Sequence, residues 1–153
     1  KTLDYDARFI KLAGEINTQM PKHVVNLTYS SLNLIQKSLN GSKILILGVA
    51  YKKNIDDVRE SPALDIIQLF YDAGAQINYY DKYVPSIDLE NISLRSIELL
   101  TDRNLSSYDV CVVVTDHSDV PYDLVYNHCD LIIDTRNVFK GKSGKNVIRL
   151  GKG

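Results

Sequence analysis

The sequence predicts an open α/β fold: a doubly wound, mainly parallel sheet of roughly five or six strands, preceded by two helices. Three observations predict it. Ile44-Leu45-Ile46-Leu47 is a continuous, β-branched-rich apolar run, the pattern of a strand buried on both faces, and such strands belong chiefly to parallel sheets. Further strand-like stretches follow at residues 76–80, 110–114 and 131–134, with helical stretches between them. That alternation is what a sheet covered on both faces requires.

Taken in order, Phe9, Ile10, Ala13 and Ile16 recur at helical spacing before a break at Met20-Pro21. A second, longer helix opens at Pro21, presents Val24, Thr28, Ser31, Leu32, Ile35 and Leu39 on one face, and stops at Asn40-Gly41. Residues 1–40 therefore read as a helical segment and residues 41–153 as the α/β domain. The apolar stripes of the helix pair need a cover, which is either the chain's own sheet or another domain or subunit. After the 44–47 run, Ser61-Pro62 supplies an N-cap and an N1 proline for a helix over 63–71, and Gly74 stands at its C-terminal cap. With the strand at 76–80 this makes a βαβ unit. A short strand near 97–99, a helix over 102–107, the strand at 110–114, a helix over 122–127 and the strand at 131–134 follow. Residues 147–150 close one edge.

A chain of 153 residues, 44% of them hydrophobic, is long enough for one substantial core. Lys and Arg number 18 against 19 acidic residues, a formal net charge of -1, which gives no general attraction to nucleic acid or to an anionic membrane. Any anion site must be local. No apolar run reaches the roughly 18 residues needed to cross a bilayer, and no secretory leader is evident. Cys111 and Cys129 sit in or beside apolar runs, as small buried hydrophobes do, so a soluble, cytoplasmic chain is expected. Neither cysteine has the paired spacing of a zinc site, and His128 adds no second pair, so no metal is expected.

Ligands of open α/β sheets lie outside the carboxyl ends of the strands. Two loops there stand out. The stretch from Gly48 to Pro62 is long for a strand-to-helix connection and carries Lys52, Lys53 and Arg59. Asp134-Thr135-Arg136-Asn137 puts a guanidinium directly after a buried strand. A lysine point charge and a planar arginine fork converging at one edge suit a diphosphate. The dinucleotide fingerprint G-x-G-x-x-G is absent, because Ala50 and Lys53 stand where the second and third glycines would be. Asp81 takes the place of a ribose-binding acid but, without those glycines, reads as a turn residue. Arg59 lies just before a helix N-terminus, where a cation is slightly unfavourable, so it serves either a ligand or a surface pair with Asp56 or Asp57. Lys53 reads as solvent-facing and His117 as a loop or capping residue. His117-Ser118-Asp119, being consecutive, cannot form a catalytic triad.

The stretch Lys43-Ile44-Leu45-Ile46-Leu47-Gly48-Val49-Ala50-Tyr51-Lys52-Lys53, running on to Asp57-Val58-Arg59-Glu60-Ser61-Pro62-Ala63, closely resembles the C-terminal domain of the UDP-glucose/GDP-mannose dehydrogenases. Tyr79-Tyr80-Asp81, Thr115-Asp116-His117 and Asp134-Thr135-Arg136 extend the likeness. The resemblance implies a Rossmann-like domain that binds a UDP-sugar against the protein's own N-terminal, NAD-binding Rossmann domain. It further implies that residues 1–40 end a central helical linker that forms the core of a homodimer or higher oligomer. Arg8-Phe9-Ile10, Leu12-Ala13-Gly14-Glu15-Ile16-Asn17 and Met20-Pro21 are most similar to the branch acting on UDP-N-acetylglucosamine, which feeds surface polysaccharide synthesis. By position, Tyr51, Lys52 and Arg136 match residues that contact UDP, and Arg59 matches one that reaches NAD. The family oxidises a C6 alcohol to a carboxylate in two NAD-dependent steps on a cysteine in a glycine-cysteine-x-proline context, which neither Cys111 nor Cys129 has. No catalytic residue is therefore expected in this chain. The rival reading is a receiver- or flavodoxin-like regulatory domain, for which Asp56, Asp57, Asp81, Asp116 and Asp134 supply acids near strand ends.

Overall fold

The computed structural model describes residues 19–142, 144 and 146–150, so the expected helix over residues 9–16 lies outside the described residues. Helix α1 covers residues 19–34 and includes Met20 and Pro21. It is followed by β1 (Lys43–Leu47), α2 (Pro62–Asp72), β2 (Gln76–Tyr80), β3 (Ser86–Asp88), β4 (Ser93–Arg95), α3 (Asp102–Ser106), β5 (Val110–Val113), α4 (Tyr122–His128), β6 (Ile132–Asp134) and β7 (Val147–Arg149). The main sheet has the order β2-β1-β5-β6-β7. Each neighbouring pair in it is parallel, with Ile46 opposite both Tyr79 and Val112.

Alternation along the central strand explains the layering. Ile44 and Ile46 point into one core with Val24 and Leu32 of α1 and Ile66, Ile67 and Phe70 of α2. Leu45 and Leu47 point into a second core with Leu105 of α3, Val125 of α4 and Phe139. A strand that must satisfy two cores has no polar position to spare, which is why β1 reads as an unbroken apolar run. The expected doubly wound, mainly parallel α/β fold is the one present. Val24 and Leu32 of α1 pack on the chain's own sheet, while Met20, Tyr29 and Leu34 of the same helix stay exposed.

Two features differ from expectation. Helix α1 does not run to Asn40-Gly41 but ends near residue 34, where Gln36 adopts φ 62. Gln36 N–H donates to Asn33 C=O at 3.0 Å and Lys37 N–H to Leu32 C=O at 3.0 Å, the paired bonds of a Schellman cap. A glycine is the usual residue there, so the stop carries no local signal. Ile35, expected on the apolar face, is consequently exposed. The short strand expected near 97–99 is replaced by an antiparallel hairpin of β3 and β4, in which Ile87 faces Leu94. Ile97 joins β2 by one backbone bond, its N–H donating to Tyr79 C=O at 2.9 Å. The N-cap is as expected: Ser61 Oγ accepts from Ala63 N–H at 3.2 Å, with Pro62 opening α2.

A candidate functional site built on buried carboxylates

The loops following β1, β2, β5 and β6 meet at one edge of the sheet. Gly48 makes the first turn, at φ 85, and a Cβ there would lie 2.2 Å from Thr115 C=O. Only glycine lets the β1 and β5 ends approach so closely. Val49 and Ala50, both fully buried, then turn their N–H groups onto one oxygen, Asp81 Oδ2, at 2.8 and 3.1 Å. Asp81 Oδ1 accepts from Tyr83 N–H at 2.9 Å, and Oδ2 also meets His117 Nε2 at 2.8 Å. Asp81 thus gathers four partners, three of them backbone amides. Ala50 C=O accepts from Thr115 Oγ1 at 2.6 Å and Ser61 Oγ at 3.3 Å.

Beyond this pinned root the loop bows outward and closes on itself through Tyr51 N–H to Asp57 C=O, 2.7 Å. Asn54, at φ 63, joins it to the loop after β5: its N–H donates to His117 Nδ1 at 2.7 Å, and its side chain exchanges hydrogen bonds with Ser118 at 2.9 Å each way. Tyr122 O–H donates to His117 C=O at 2.8 Å, and burial, reinforced by Asp116 and Asp119, holds the phenol well above its ordinary pKa and so in its donor form. The frame thereby carries Tyr51 and Lys52 outward, with Tyr51 half-exposed and Lys52 Nζ 5.6 Å from its ring centroid.

A second buried carboxylate repeats the device at β6. Asp134 accepts from Arg136 N–H at 3.1 Å and Val138 N–H at 3.2 Å through Oδ1, and from Phe139 N–H at 3.0 Å through Oδ2. Asn137 supports the tight turn with φ 62. The Arg136 guanidinium emerges half-exposed, its Nε 3.3 Å from Asp116 Oδ1 in the loop after β5. Lys52 and Arg136 thus stand on loops flanking β5 at the same edge, as expected from the sequence.

Arg59 is engaged by an acid of its own loop. Its side chain is 87% exposed and forks onto Asp57, with Nε to Oδ1 3.1 Å and Nη2 to Oδ2 3.0 Å. Hydrogen bonding to Arg59 holds the Asp57 carboxyl below its ordinary value, and the same bond raises the guanidinium. A concavity of about 500 Å³ on the β2 side, bordered by Tyr80, Lys82, Arg95 and Asp119, is lined by neither Lys52 nor Arg136.

Sequence reasoning placed Asp81 and Asp134 at strand ends without seeing their work, because their partners are backbone amides, in Asp81's case more than thirty residues away. His117 is the loop residue it was read as, fully buried and with both ring nitrogens engaged. Of the acids that the receiver-like reading needs, the Asp81 and Asp134 oxygens are enclosed and saturated, Asp116 pairs with Arg136 and Asp57 with Arg59. The site also argues against NAD on this sheet. In a dinucleotide fold the amides of the first turn face the pyrophosphate, but those of Val49 and Ala50 are spent on Asp81.

An open parallel sheet whose ligand edge holds exposed cations on a saturated backbone frame is an α/β domain of the nucleotide-binding type. More particularly, residues 45–141 match the model of the UDP-binding domain of the UDP-glucose/GDP-mannose dehydrogenase family, and the chain belongs to that family. A UDP-N-acetyl-D-mannosamine dehydrogenase of Methanococcus maripaludis is 31% identical over 97% of this chain and 35% of its own length. The UDP-glucose 6-dehydrogenase of Bacillus subtilis is 32% identical over 91% of this chain and 31% of its own. Among solved structures, the UDP-N-acetyl-mannosamine dehydrogenase of Pyrococcus horikoshii superposes with a TM-score of 0.76 at 26% identity, covering 94% of this chain and 34% of that one. The chain spans about a third of the length of these relatives. Their names correct the expected likeness to the N-acetylglucosamine branch, since the similarity is to N-acetylmannosamine and glucose enzymes. Among the described residues, no helix is long and apolar enough to cross a membrane.

Proposed function

We propose that this chain is the UDP-binding portion of an NAD-dependent UDP-sugar 6-dehydrogenase, and that it holds the diphosphate of a UDP-N-acetylhexosamine, as N-acetylmannosamine dehydrogenases would require. The observation that carries this is the placement of Lys52 and Arg136 on rigid loops flanking β5. The axes of β1 and β6 lie roughly 10 Å apart across that strand, a gap a nucleoside diphosphate can bridge. Lys52 supplies a point charge, Arg136 a planar fork, and the Tyr51 ring an aromatic surface beside them. For Arg136 to bind, its guanidinium would turn from the half-exposed Asp116 contact, an exchange of one weak surface pair for a charge-assisted bond to phosphate.

Oxidation at C6 to the uronate, for surface polysaccharide synthesis, falls to the N-terminal Rossmann domain of the whole protein, where NAD and the catalytic cysteine would sit. This chain fixes the sugar's position relative to those groups and contributes no reacting atom. Arg59 is the one residue assigned to NAD. It lies at the outer rim, so that by leaving Asp57 it could reach a cofactor held by the facing domain. Residues 1–40 are assigned to the linker and to subunit pairing.

Calorimetric titration of the chain with UDP tests the reading. Lys52→Ala and Arg136→Ala should each weaken binding by about 1.5–3 kcal/mol, the range for hydrogen bonds to charged groups. Wild-type protein that fails to bind UDP, or binds it equally well after both substitutions, would overturn it.

A further inference from the structure

We propose that His117 is a positioning residue for the nucleotide loop: it holds residues 51–57, and the Lys52 ammonium they carry, through a single imidazole tautomer that Asp81 fixes. Its binding half rests on the nucleotide reading above, and its structural half on geometry alone.

A backbone N–H can only donate, so the 2.7 Å contact from Asn54 N makes His117 Nδ1 an acceptor without a proton. The ring proton then sits on Nε2 and is donated to Asp81 Oδ2 at 2.8 Å. The Nδ1–H tautomer would set two donors against each other at Asn54 and leave the buried Asp81 oxygen facing a lone pair. Asp81 is held in turn by the Val49 and Ala50 amides, so its orientation is not free to adapt. Tyr83 packs on the imidazole with centroids 4.8 Å apart, which further fixes the ring plane.

At the far end, Asn54 occupies the left-handed region at φ 63, which asparagine tolerates better than other non-glycine residues. It is held there by one bond from its N–H to His117 and two between its side chain and Ser118. Asn54 is two residues from Lys52, inside the ring closed by Tyr51 and Asp57. An apolar side chain could fill the volume of the imidazole. Only a group with an acceptor on one side and a donor on the other can join the loops after β1, β2 and β5.

The test compares the chain with H117Q and H117N. Glutamine reaches the Nε2 position and keeps Asp81 but offers Asn54 no acceptor; asparagine places its carbonyl oxygen near Nδ1 and keeps Asn54. In wild-type protein, long-range proton–nitrogen correlations of the imidazole should show the Nε2–H tautomer. H117Q should lose hydrogen-exchange protection at the Asn54 amide and bind UDP about tenfold more weakly, the scale of one lost hydrogen bond. H117N should recover both, within about threefold of wild type, although it too is cut off from Asp81. An Nδ1–H tautomer, wild-type behaviour of H117Q, or an H117N no better than H117Q would each overturn the proposal. If wild-type protein fails to bind UDP, the nucleotide reading falls and takes the binding half with it, while the tautomer and the Asn54 exchange still decide the loop half. Should H117Q not fold, the tautomer and H117N decide.

Discussion

Replacing Asp81 by asparagine removes one acceptor and adds two donors at a point where every neighbour already donates. The carboxylate is 1% exposed and accepts from Val49, Ala50 and His117 at Oδ2 and from Tyr83 at Oδ1. With the amide oxygen in the Oδ2 position, the NH2 group faces Tyr83 N–H; flipped, it faces three donors. The first arrangement is the cheaper. It orphans one backbone N–H, about 1–3 kcal/mol, and strips the charge assistance from three remaining bonds. A total near 2–4 kcal/mol follows, or a melting temperature lower by roughly 4–16 °C for a chain of this size. Urea unfolding at neutral pH, followed by far-ultraviolet circular dichroism, measures it. A loss under about 0.5 kcal/mol would mean that the four contacts are not made together, and the account of the loop frame would fail with them.

Gly48→Ala combines a left-handed backbone with a Cβ 2.2 Å from Thr115 C=O, and should destabilise the chain by about 2–4 kcal/mol in the same assay, with tolerance of alanine refuting the close approach. Asp109 ties the turn after α1 to the start of β5 through Lys37 Nζ at 2.8 Å and Lys43 N–H at 2.8 Å. Burial works to raise this carboxyl, but hydrogen bonds from Lys37 and Lys43 outweigh it and hold the group below its ordinary 3.8. A carboxyl depressed in the folded state contributes stability that is fully present above 3.8 and is lost as pH falls through the folded value. Stability measured between pH 6 and pH 3 should therefore fall less steeply in Asp109→Asn than in wild type, and parallel curves would show that the pair does not form.

How much of this was legible in the sequence depends on where each signal originates. Strand β1 was readable because burial on both faces forbids polar residues along it, and α2 because Ser61-Pro62 announces its own start. Arg136 stood out as a guanidinium placed directly after a buried strand. The hairpin β3–β4 escaped because strands of three residues with polar ends, Ser86-Ile87-Asp88 and Ser93-Leu94-Arg95, show no period long enough to detect. The end of α1 escaped because its stop lies in hydrogen bonds made by Gln36 and Lys37, not in a glycine. Asp81, at the place of a ribose-binding acid, was read as a turn residue, which the bond from Tyr83 N–H bears out, but only the folded chain brings Val49, Ala50 and His117 to it.

That substitution of role explains the form of the site. In a dinucleotide-binding sheet the first turn offers free backbone amides, and glycines let a phosphate approach them. Here a protein carboxylate occupies those amides permanently, so the turn has already bound its anion and has none of that capacity left. On the reading proposed above, an incoming diphosphate would instead be met by side chains further out, where Tyr51, Lys52 and Arg136 stand. Side-chain cations in water hold an anion less firmly than buried amides do, because both partners stay hydrated. A second surface closing over them would remove that water and strengthen every contact. The same reasoning makes the rigidity of the frame useful, for a loop already fixed by Asp81, His117 and Asn54 loses little further entropy when its ligand and its covering surface arrive.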